Sequence, residues 1–472
     1  MKVLLINPFI STQATAGKYR RFLEPMPPIS LAFVAAALQR AGAEVCIYDD
    51  YTQGGDRAAL MAAIRAAAPD IAGLTCVTPT AARTMEIARQ IKGEFPDIKL
   101  AMGNIHASVF YEQIINDGLA DFVALGEGED TIADLVRTLE SGGDVSAVKG
   151  LAWKRDGRAI ANEPRPYRED LDELPFPAWD LFPLERYRLF SFAVVREPGM
   201  LILGSRGCPY NCTFCSLKIM GRKRRKRSAA NIADEFEWLL NSFGYRQMSF
   251  IDPIFPLTKQ EGLEFGQELI RRGLHKKAVW TTETRVDLVD QELLDAMAAS
   301  GLRRIMYGFE SGGQQGIDSI KKNFKIDQAR SAVAMTKKAG VEIIGFFMLG
   351  VPGETRQSAE QTIAYSVSLD IDFAKFTIFS PFPGTKVYED MLADGAIQPT
   401  NDWSTFTNYP SRETPAAYIP EALTNDDLIQ LQRRAFLKFY LRPRQAFNQL
   451  FKVRTLKLRD MWNGLLLVLG LR

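Results

Sequence analysis

Residues 1–145 alternate between two hydrophobic patterns. Short apolar runs, "KVLLINP" (2–8), "EVCIYD" (44–49), "IAGLTCV" (71–77), "KLAMGN" (99–104) and "FVALGEG" (122–128), read as strands buried on both faces. Stretches between them, such as "ISLAFVAAALQRAG" and "TAARTMEIARQIKGEF", carry helical periodicity. Five such units predict a doubly wound, five-strand parallel sheet. Sheets of this kind take ligands beyond the carboxyl ends of their strands. The residues standing there are Asn7 and Pro8; Thr75, Val77, Thr78 and Thr80; Gly103, Asn104 and His106; and Gly126, Glu127 and Gly128.

A second alternation occupies residues 196–400. Its strands are "MLILGS" (200–205), "QMSFID" (247–252), "AVWTTET" (278–284), "RRIMYGFE" (303–310), "VEIIGFFMLG" (341–350) and "FAKFTIFSP" (373–381), again separated by helical stretches. Six units predict a partial (β/α)6 barrel of the TIM type, with its chemistry at the carboxyl ends of the strands. The intervening residues 146–195 include "EPRPYREDLDELPFPAWDLFPLERY" (163–187), too rich in prolines and acids for a long helix. They predict an extended linker, either a plain spacer or a strap that wraps one domain onto the next. Residues 401–472 lack the β/α repeat, predict a helical region, and are strongly basic from Arg433 onward.

A length of 472 residues accommodates two or three such domains. The formal charge of +2 argues against bulk nucleic-acid binding. No apolar stretch reaches the ~20 residues a membrane-spanning helix needs. The opening "MKVLLINPF" has neither a secretory h-region nor an Arg-rich transit pattern, so the expected location is the cytoplasm. Five cysteines in so long a chain do not form a disulfide framework. The two histidines, His106 and His275, exclude most His-built metal sites.

Three of the five cysteines fall within "GCPYNCTFC" (207–215), just after the first barrel strand. Closely spaced thiolates hold zinc or iron–sulfur clusters. Structural zinc takes four ligands, and no fourth lies nearby; Cys46 and Cys76 sit in predicted strands of the other domain and read as core. A four-iron cubane with three protein thiolates leaves one iron open to a small molecule, an arrangement suited to catalysis.

The CxxxCxxC triplet, with Phe214 before its last cysteine, resembles the radical S-adenosylmethionine family. So do Asp252 in "FIDPIF", Arg285 in "TETRVD", Glu310 and Ser311 in "YGFESGG", and "GFFMLGVPGET" (345–355) with Gly350 and Pro352. The resemblance implies that Cys208, Cys212 and Cys215 ligate a 4Fe–4S cluster. The open iron would bind S-adenosylmethionine, whose reductive cleavage gives a 5′-deoxyadenosyl radical. Asp252 stands where the family binds the methionyl amino group. Pro253 replaces a second acid or a glycine pair, leaving that contact to Asp252 alone or to backbone.

"GNIHAS" (103–108), "LGEGED" (125–130), residues 26–49 and "DLDELPFPAWDL" (170–181) are similar to the cobalamin-binding domains fused to this enzyme class, including the anaerobic magnesium-protoporphyrin cyclase-like group. No DxHxxG motif is present. The resemblance therefore implies base-off cobalamin without a protein histidine on cobalt, and His106 either bonds the corrin or its tail or supports the loop. The implied activity is methylation of an unactivated carbon of a biosynthetic intermediate through methylcobalamin; the alternatives are an oxidative cyclase and a non-catalytic sensor. The implied partners are a small-molecule substrate such as a lipid or tetrapyrrole and a low-potential donor such as flavodoxin or ferredoxin.

Two basic segments remain. The run "LKIMGRKRRKR" (217–227) reads either as a solvated surface or as a patch attracting an anionic partner. From Pro443, residues Phe447, Leu450, Phe451, Leu458, Met461, Trp462, Leu465, Leu466 and Leu469 form a helical stripe. That stripe packs on the barrel or lies peripherally on an anionic membrane.

Overall fold

The computed structural model describes residues 1–9, 25–189, 193–216, 220–443 and 445. The first sheet is built from β1 (Lys2–Asn7), β2 (Glu44–Asp49), β3 (Ile71–Thr75), β4 (Lys99–Gly103) and β5 (Phe122–Ala124), in the order β2-β1-β3-β4-β5, all parallel. The order reverses at β1 and β3, the topological switch point of a doubly wound sheet. Helices α1 (Ile29–Arg40), α2 (Arg57–Ala67), α3 (Ala81–Glu94), α4 (Ile105–Val109), α5 (Tyr111–Asn116) and α6 (Gly128–Glu140) connect its strands. Asp56 starts α2 by accepting from the N–H groups of Ala58 and Ala59 at 2.9 and 3.1 Å, donors that would otherwise be unpaired.

The sheet does not stop at five strands. β6 (Leu151–Arg155) and β7 (Arg158–Ala161) add an antiparallel hairpin beside β5. Its turn is Asp156-Gly157, both at positive φ, the conformation a two-residue hairpin turn needs. The segment expected to be linker from residue 146 is thus sheet up to Ala161 and extended only beyond it. That extended part is anchored: Leu171, Trp179, Phe182 and Tyr187 are buried in a core continuous with both domains. The Tyr187 hydroxyl donates to Asp49 Oδ2 at 2.6 Å, tying the strap back to the end of β2. This is the wrapping role, with aromatic anchors.

The second sheet is six-stranded and wholly parallel: β8 (Gly199–Ile202), β11 (Gln247–Phe250), β12 (Val279–Thr284), β13 (Leu302–Glu310), β14 (Glu342–Leu349) and β15 (Phe373–Ile378), neighbours in that order. A two-residue ribbon, β9 (Ser205–Arg206) with β10 (Arg225–Lys226), lies between β8 and α7 (Ala229–Ser242) in the chain. The remaining helices are α8 (Lys259–Arg271), α9 (Gln291–Ala299), α10 (Gln314–Ser319), α11 (Ile326–Lys338), α12 (Arg356–Ser368), α13 (Lys386–Ala393) and α14 (Asn425–Tyr440). Ser228, Thr258, Asp290, Thr355, Thr385 and Thr424 cap α7, α8, α9, α12, α13 and α14, which is why those helices begin where they do.

Side-chain alternation fixes which face of the second sheet is the lumen. Trp280 packs on Phe265 of α8, Tyr307 bonds Thr336 of α11, and Phe376 packs on Phe436 and Phe439 of α14. Their neighbours along each strand therefore point inward. Glu283, Gly308, Phe346 and Lys375 are among the inward positions, followed nearer the carboxyl ends by Arg285, Glu310, Met348 and Thr377. The segment before α14 bridges the two domains, with Trp403 and Phe406 packed into the core of the first sheet. The apolar stripe at 447–469 lies outside the described residues. Among the described residues no helix is long and apolar enough to cross a membrane.

Candidate active site

A cavity of about 430 Å³ opens at the carboxyl ends of β3, β4 and β5. Of the residues expected there, Thr75, Gly103, Asn104, Gly126, Glu127 and Gly128 line it. Asn104 sits at φ 81°, where its Oδ1 accepts from Ile105 N at 2.7 Å and its Nδ2 donates to Thr75 at 3.1 Å. This bend carries the chain sharply from β4 into α4 and keeps the wall low. The opposite wall comes from the barrel: Leu203, Ser205, Arg206, Gly207, Ser216, Met220, Ile251 and Pro253. A second cavity of about 510 Å³ shares Gly126, Glu127, Glu129 and Arg206 with the first.

Other expected residues stand back from this cavity. Asn7 Nδ2 donates to Asp49 at 3.0 Å and, with Pro8, braces the end of β1. Val77 and Thr80 bond each other around a helical turn, Val77 N to Thr80 Oγ1 at 3.2 Å and Thr80 Oγ1 to Val77 O at 3.0 Å. His106 is 2% exposed, lies 3.2 Å from the Thr78 hydroxyl, and packs edge-on against Trp403 at 4.8 Å and tilted against Phe110 at 4.7 Å. Burial pushes its pKa down to about 4, so the imidazole is neutral.

The cysteine loop leaves β9 at Gly207, whose φ of +81° and contact with the Lys223 carbonyl leave no room for a side chain. Cys208 N donates to Gly221 O at 3.3 Å, Thr213 N to Ile320 O at 3.0 Å, and Cys215 N to Cys212 O at 3.2 Å. All three cysteines are reduced and half-buried. Among the described residues no three His, Cys, Asp or Glu side chains converge on a single metal-sized point. A cubane asks for something else, one thiolate on each of three irons, and three reduced cysteines on one loop supply that donor set. Burial raises the Cys212 thiol pKa, and Lys322 and Arg285 oppose the rise. Phe214 is partly buried against the core that also holds Phe379 and Tyr388.

Arg285 reaches this loop directly. Its guanidinium lies 3.8 Å from the ring centroid of Tyr210, chelates Asp287 at 2.8 and 2.9 Å, and donates to Lys322 O at 2.7 Å. Glu310 stands at φ 62° and pairs with Lys322, whose ammonium occupies the space over Gly308. Beneath them, burial raises Glu283 to about 7 and lowers the half-buried Lys375. The barrel mouth thus carries alternating charge.

Asp252 stands just beyond β11. It is 2% exposed; Oδ2 accepts from Gly204 N at 2.9 Å and Oδ1 from the Ser205 hydroxyl. Both oxygens are committed to the root of the cysteine loop, and burial raises the carboxyl to about 7. Ser311 accepts from Gly313 N at 3.2 Å at the start of α10. Gly350 takes φ +83° against Leu428, and its N–H is held by Glu354, shaping the turn that includes Pro352.

Sequence reasoning missed Tyr210, Lys322, Glu283 and Lys375, although strand alternation marks the last two. It also misjudged the basic run. Arg224, Arg225 and Arg227 are not solvated: they pair with Glu261, Glu127 and Glu235. Lys223 and Lys226 do face solvent.

A two-cofactor reading of this geometry agrees with known proteins. Residues 20–136 match the B12 binding domain and residues 202–365 the radical SAM superfamily. An uncharacterised methyltransferase of Pyrococcus horikoshii is 30% identical over 471 residues, covering 99% of this chain and 98% of that one. The anaerobic magnesium-protoporphyrin IX monomethyl ester cyclase of Rubrivivax gelatinosus is 28% identical, over 83% of this chain and 70% of that one. The radical S-adenosylmethionine methyltransferase TsrM of Kitasatospora setae, solved with tryptophan and a S-adenosylmethionine analogue, shares the fold with a TM-score of 0.72 at 19% identity, covering 91% of this chain and 88% of that one. The chain belongs to the cobalamin-dependent radical S-adenosylmethionine enzymes. Its relatives within that class include both methyltransferases and cyclases.

Proposed function

We propose that this enzyme is a radical S-adenosylmethionine methyltransferase that uses cobalamin to methylate an unactivated carbon of a small molecule. The observation that carries the reading is the shared cavity: the strand ends of the first domain form one wall, and Gly207, Ser216 and Met220 of the cysteine loop help form the other. Groups held on the two walls face each other across a single gap.

Cys208, Cys212 and Cys215 would hold the cluster, with Arg285 and Tyr210 bracing their loop. Thr75, Gly103, Asn104, Gly126 and Gly128 would hold cobalamin, mostly through small side chains and backbone. His106 is engaged with Thr78 and Trp403, which supports cobalamin without a histidine on cobalt. Glu310, Lys322, Glu283 and Lys375 would hold the polar groups of S-adenosylmethionine and substrate within the lumen. Asp252 would act through the loop it anchors. Bound together, the cluster supplies the electron that cleaves S-adenosylmethionine, and cobalamin supplies a methyl carrier. The low-potential electron comes from a donor such as flavodoxin or ferredoxin. Three thiols that must stay reduced support a cytoplasmic location.

The test is product analysis of the reconstituted protein with S-adenosylmethionine, a reductant and candidate substrates, including lipids and tetrapyrroles. S-adenosylhomocysteine together with 5′-deoxyadenosine is the expected outcome. Deoxyadenosine alone identifies a cyclase or another radical reaction, and neither product identifies a non-catalytic sensor.

A further inference from the structure

The chain leaves β9 for the cysteines and returns on β10, and Arg206 of β9 stands directly opposite Arg225 of β10. Like charges facing each other across an antiparallel pair repel. Here both are buried, 5% and 3% exposed, where repulsion is screened least. The carboxylates that meet them come from the other domain. Glu127 chelates Arg225 at 2.8 and 2.9 Å and lies 3.6 Å from Arg206; Glu129 pairs with Arg206. Glu129 lies in the first turn of α6 and Glu127 immediately before it, so the docking of that helix end places both acids against the ribbon.

The arrangement extends into the loop itself. Arg225 also donates to Met220 O at 2.9 Å and to Arg168 O at 3.1 Å, and Arg168 chelates Asp130 at 2.7 and 2.8 Å. The ring of Tyr167 lies under the Arg225 guanidinium at 4.7 Å and against Gly221, whose carbonyl holds Cys208 N. A continuous set of contacts thus runs from Glu127 through Arg225 to the first cysteine.

We propose that Glu127 and Glu129 are positioning residues for the cysteine loop: by neutralising two arginines that oppose each other across its stem, the first domain closes the loop that the second domain carries. The inference rests on the reading of this loop as the cluster site for its functional meaning, but not for its test. Docking and loop closure are then one event, and the loop takes its final shape only beside the cavity wall it helps to form.

Hydrogen exchange followed by mass spectrometry on the full-length, metal-free protein tests this. Arg225→Met and Glu127→Gln are each expected to speed exchange of peptides spanning 205–226 by about a hundredfold, since the first removes the donors that hold Glu127, Met220 O and Arg168 O and the second leaves the buried Arg225 without its chelating carboxylate. Strands β11 and β12 should keep their wild-type rates. Combining Glu127→Arg with Arg225→Glu should slow the loop again, because the pair is restored in reverse and the ribbon then sets a carboxylate opposite Arg206. Wild-type loop exchange in both single variants overturns the proposal. So does acceleration spread through the whole barrel, which marks a generic interface, and so does a charge swap no slower than the single variants. Because metal-free protein is used, none of these outcomes depends on whether the enzyme transfers a methyl group.

Discussion

The two strand-end surfaces, one on each domain, are made of different material. On the first domain the cavity is lined by Gly103, Ala124, Gly126 and Gly128 together with apolar side chains such as Leu5, Phe33, Val34 and Met102, with Asn104 bending the chain out of the way and Glu127 and Glu129 taken up by arginines. On the barrel, the groups at the strand ends are charged: Arg285 on Asp287 and Tyr210, Glu310 on Lys322, with Glu283 and Lys375 one layer beneath. The difference suits two kinds of ligand. A broad, nearly neutral macrocycle is held by shape and by carbonyl and amide groups. A small zwitterion with a sulfonium centre, and the cluster beside it, are held by placed charge. A surface of glycines and apolar side chains is sensitive to added volume, and a surface of charges is sensitive to altered charge.

The largest expected effect comes from removing the donors on the charged side. Replacing Cys208, Cys212 and Cys215 together by Ala is expected to bring iron, sulfide and deoxyadenosine to background while cobalamin remains bound. Iron analysis and visible absorption on one sample check it, and a triple variant that keeps four irons breaks the assignment. The reciprocal change is Gly103→Val. An added Cβ at Gly103 finds its nearest neighbour, Ala124 Cβ, at 4.0 Å, so the backbone tolerates it and the extra bulk enters the cavity. Cobalamin should bind more weakly by about 1–3 kcal/mol, roughly tenfold or more, with iron content unchanged. Titration of the apoprotein with cobalamin measures it; equal losses of cobalamin and iron would erase the distinction between the walls.

Changing the pH sharpens the comparison from another side. Asp252 titrates near 7 in the folded protein because burial disfavours its charge, against ~3.9 in an unfolded chain. The folded state therefore binds this proton more tightly. Its stabilising contribution is complete below about pH 4 and is lost as pH rises through 7. Relative to Asp252→Asn, the wild-type apoprotein should lose stability over that window by up to ~1.4 kcal/mol per pH unit. Denaturant unfolding at several pH values reads the slope, and parallel curves for the two proteins would show that Asp252 is ionised throughout.

What the sequence disclosed and what it withheld have physical reasons. All eleven parallel strands were legible because a strand buried on both faces must be a continuous apolar run, and such runs stand out against helical periodicity. The β6–β7 hairpin carried its own signal, Asp156-Gly157 between two short alternating runs, yet the prolines just after it dominated the reading. The cysteine triplet was legible because its spacing is local. The partners of Arg206 and Arg225 were not, because Glu127 is 98 residues from Arg225 in the chain and nothing near either residue announces the other. Without those acids, a run of arginines and lysines reads as solvated. The contacts of Asp252 were not legible either, since only the folded chain brings Gly204 N and Ser205 Oγ to its two oxygens.

The outer edge of the six-stranded sheet has a consequence beyond catalysis. β15 pairs with β14 on one side only, and residues 374, 376 and 378 direct backbone groups toward the free side. Each is met by a polar group from the C-terminal part of the chain. The Tyr440 hydroxyl accepts from Ala374 N at 3.1 Å and donates to Ala374 O at 2.8 Å. Gln432 Nε2 donates to Phe376 O at 2.9 Å; Asn408 accepts from Ile378 N and donates to Ile378 O, each at 2.9 Å. An incomplete barrel exposes a ready template for strand addition by any passing chain. With every second residue of that template already engaged, the sheet ends at β15, and its edge is closed to domain swapping and to the intermolecular β-pairing that seeds aggregates.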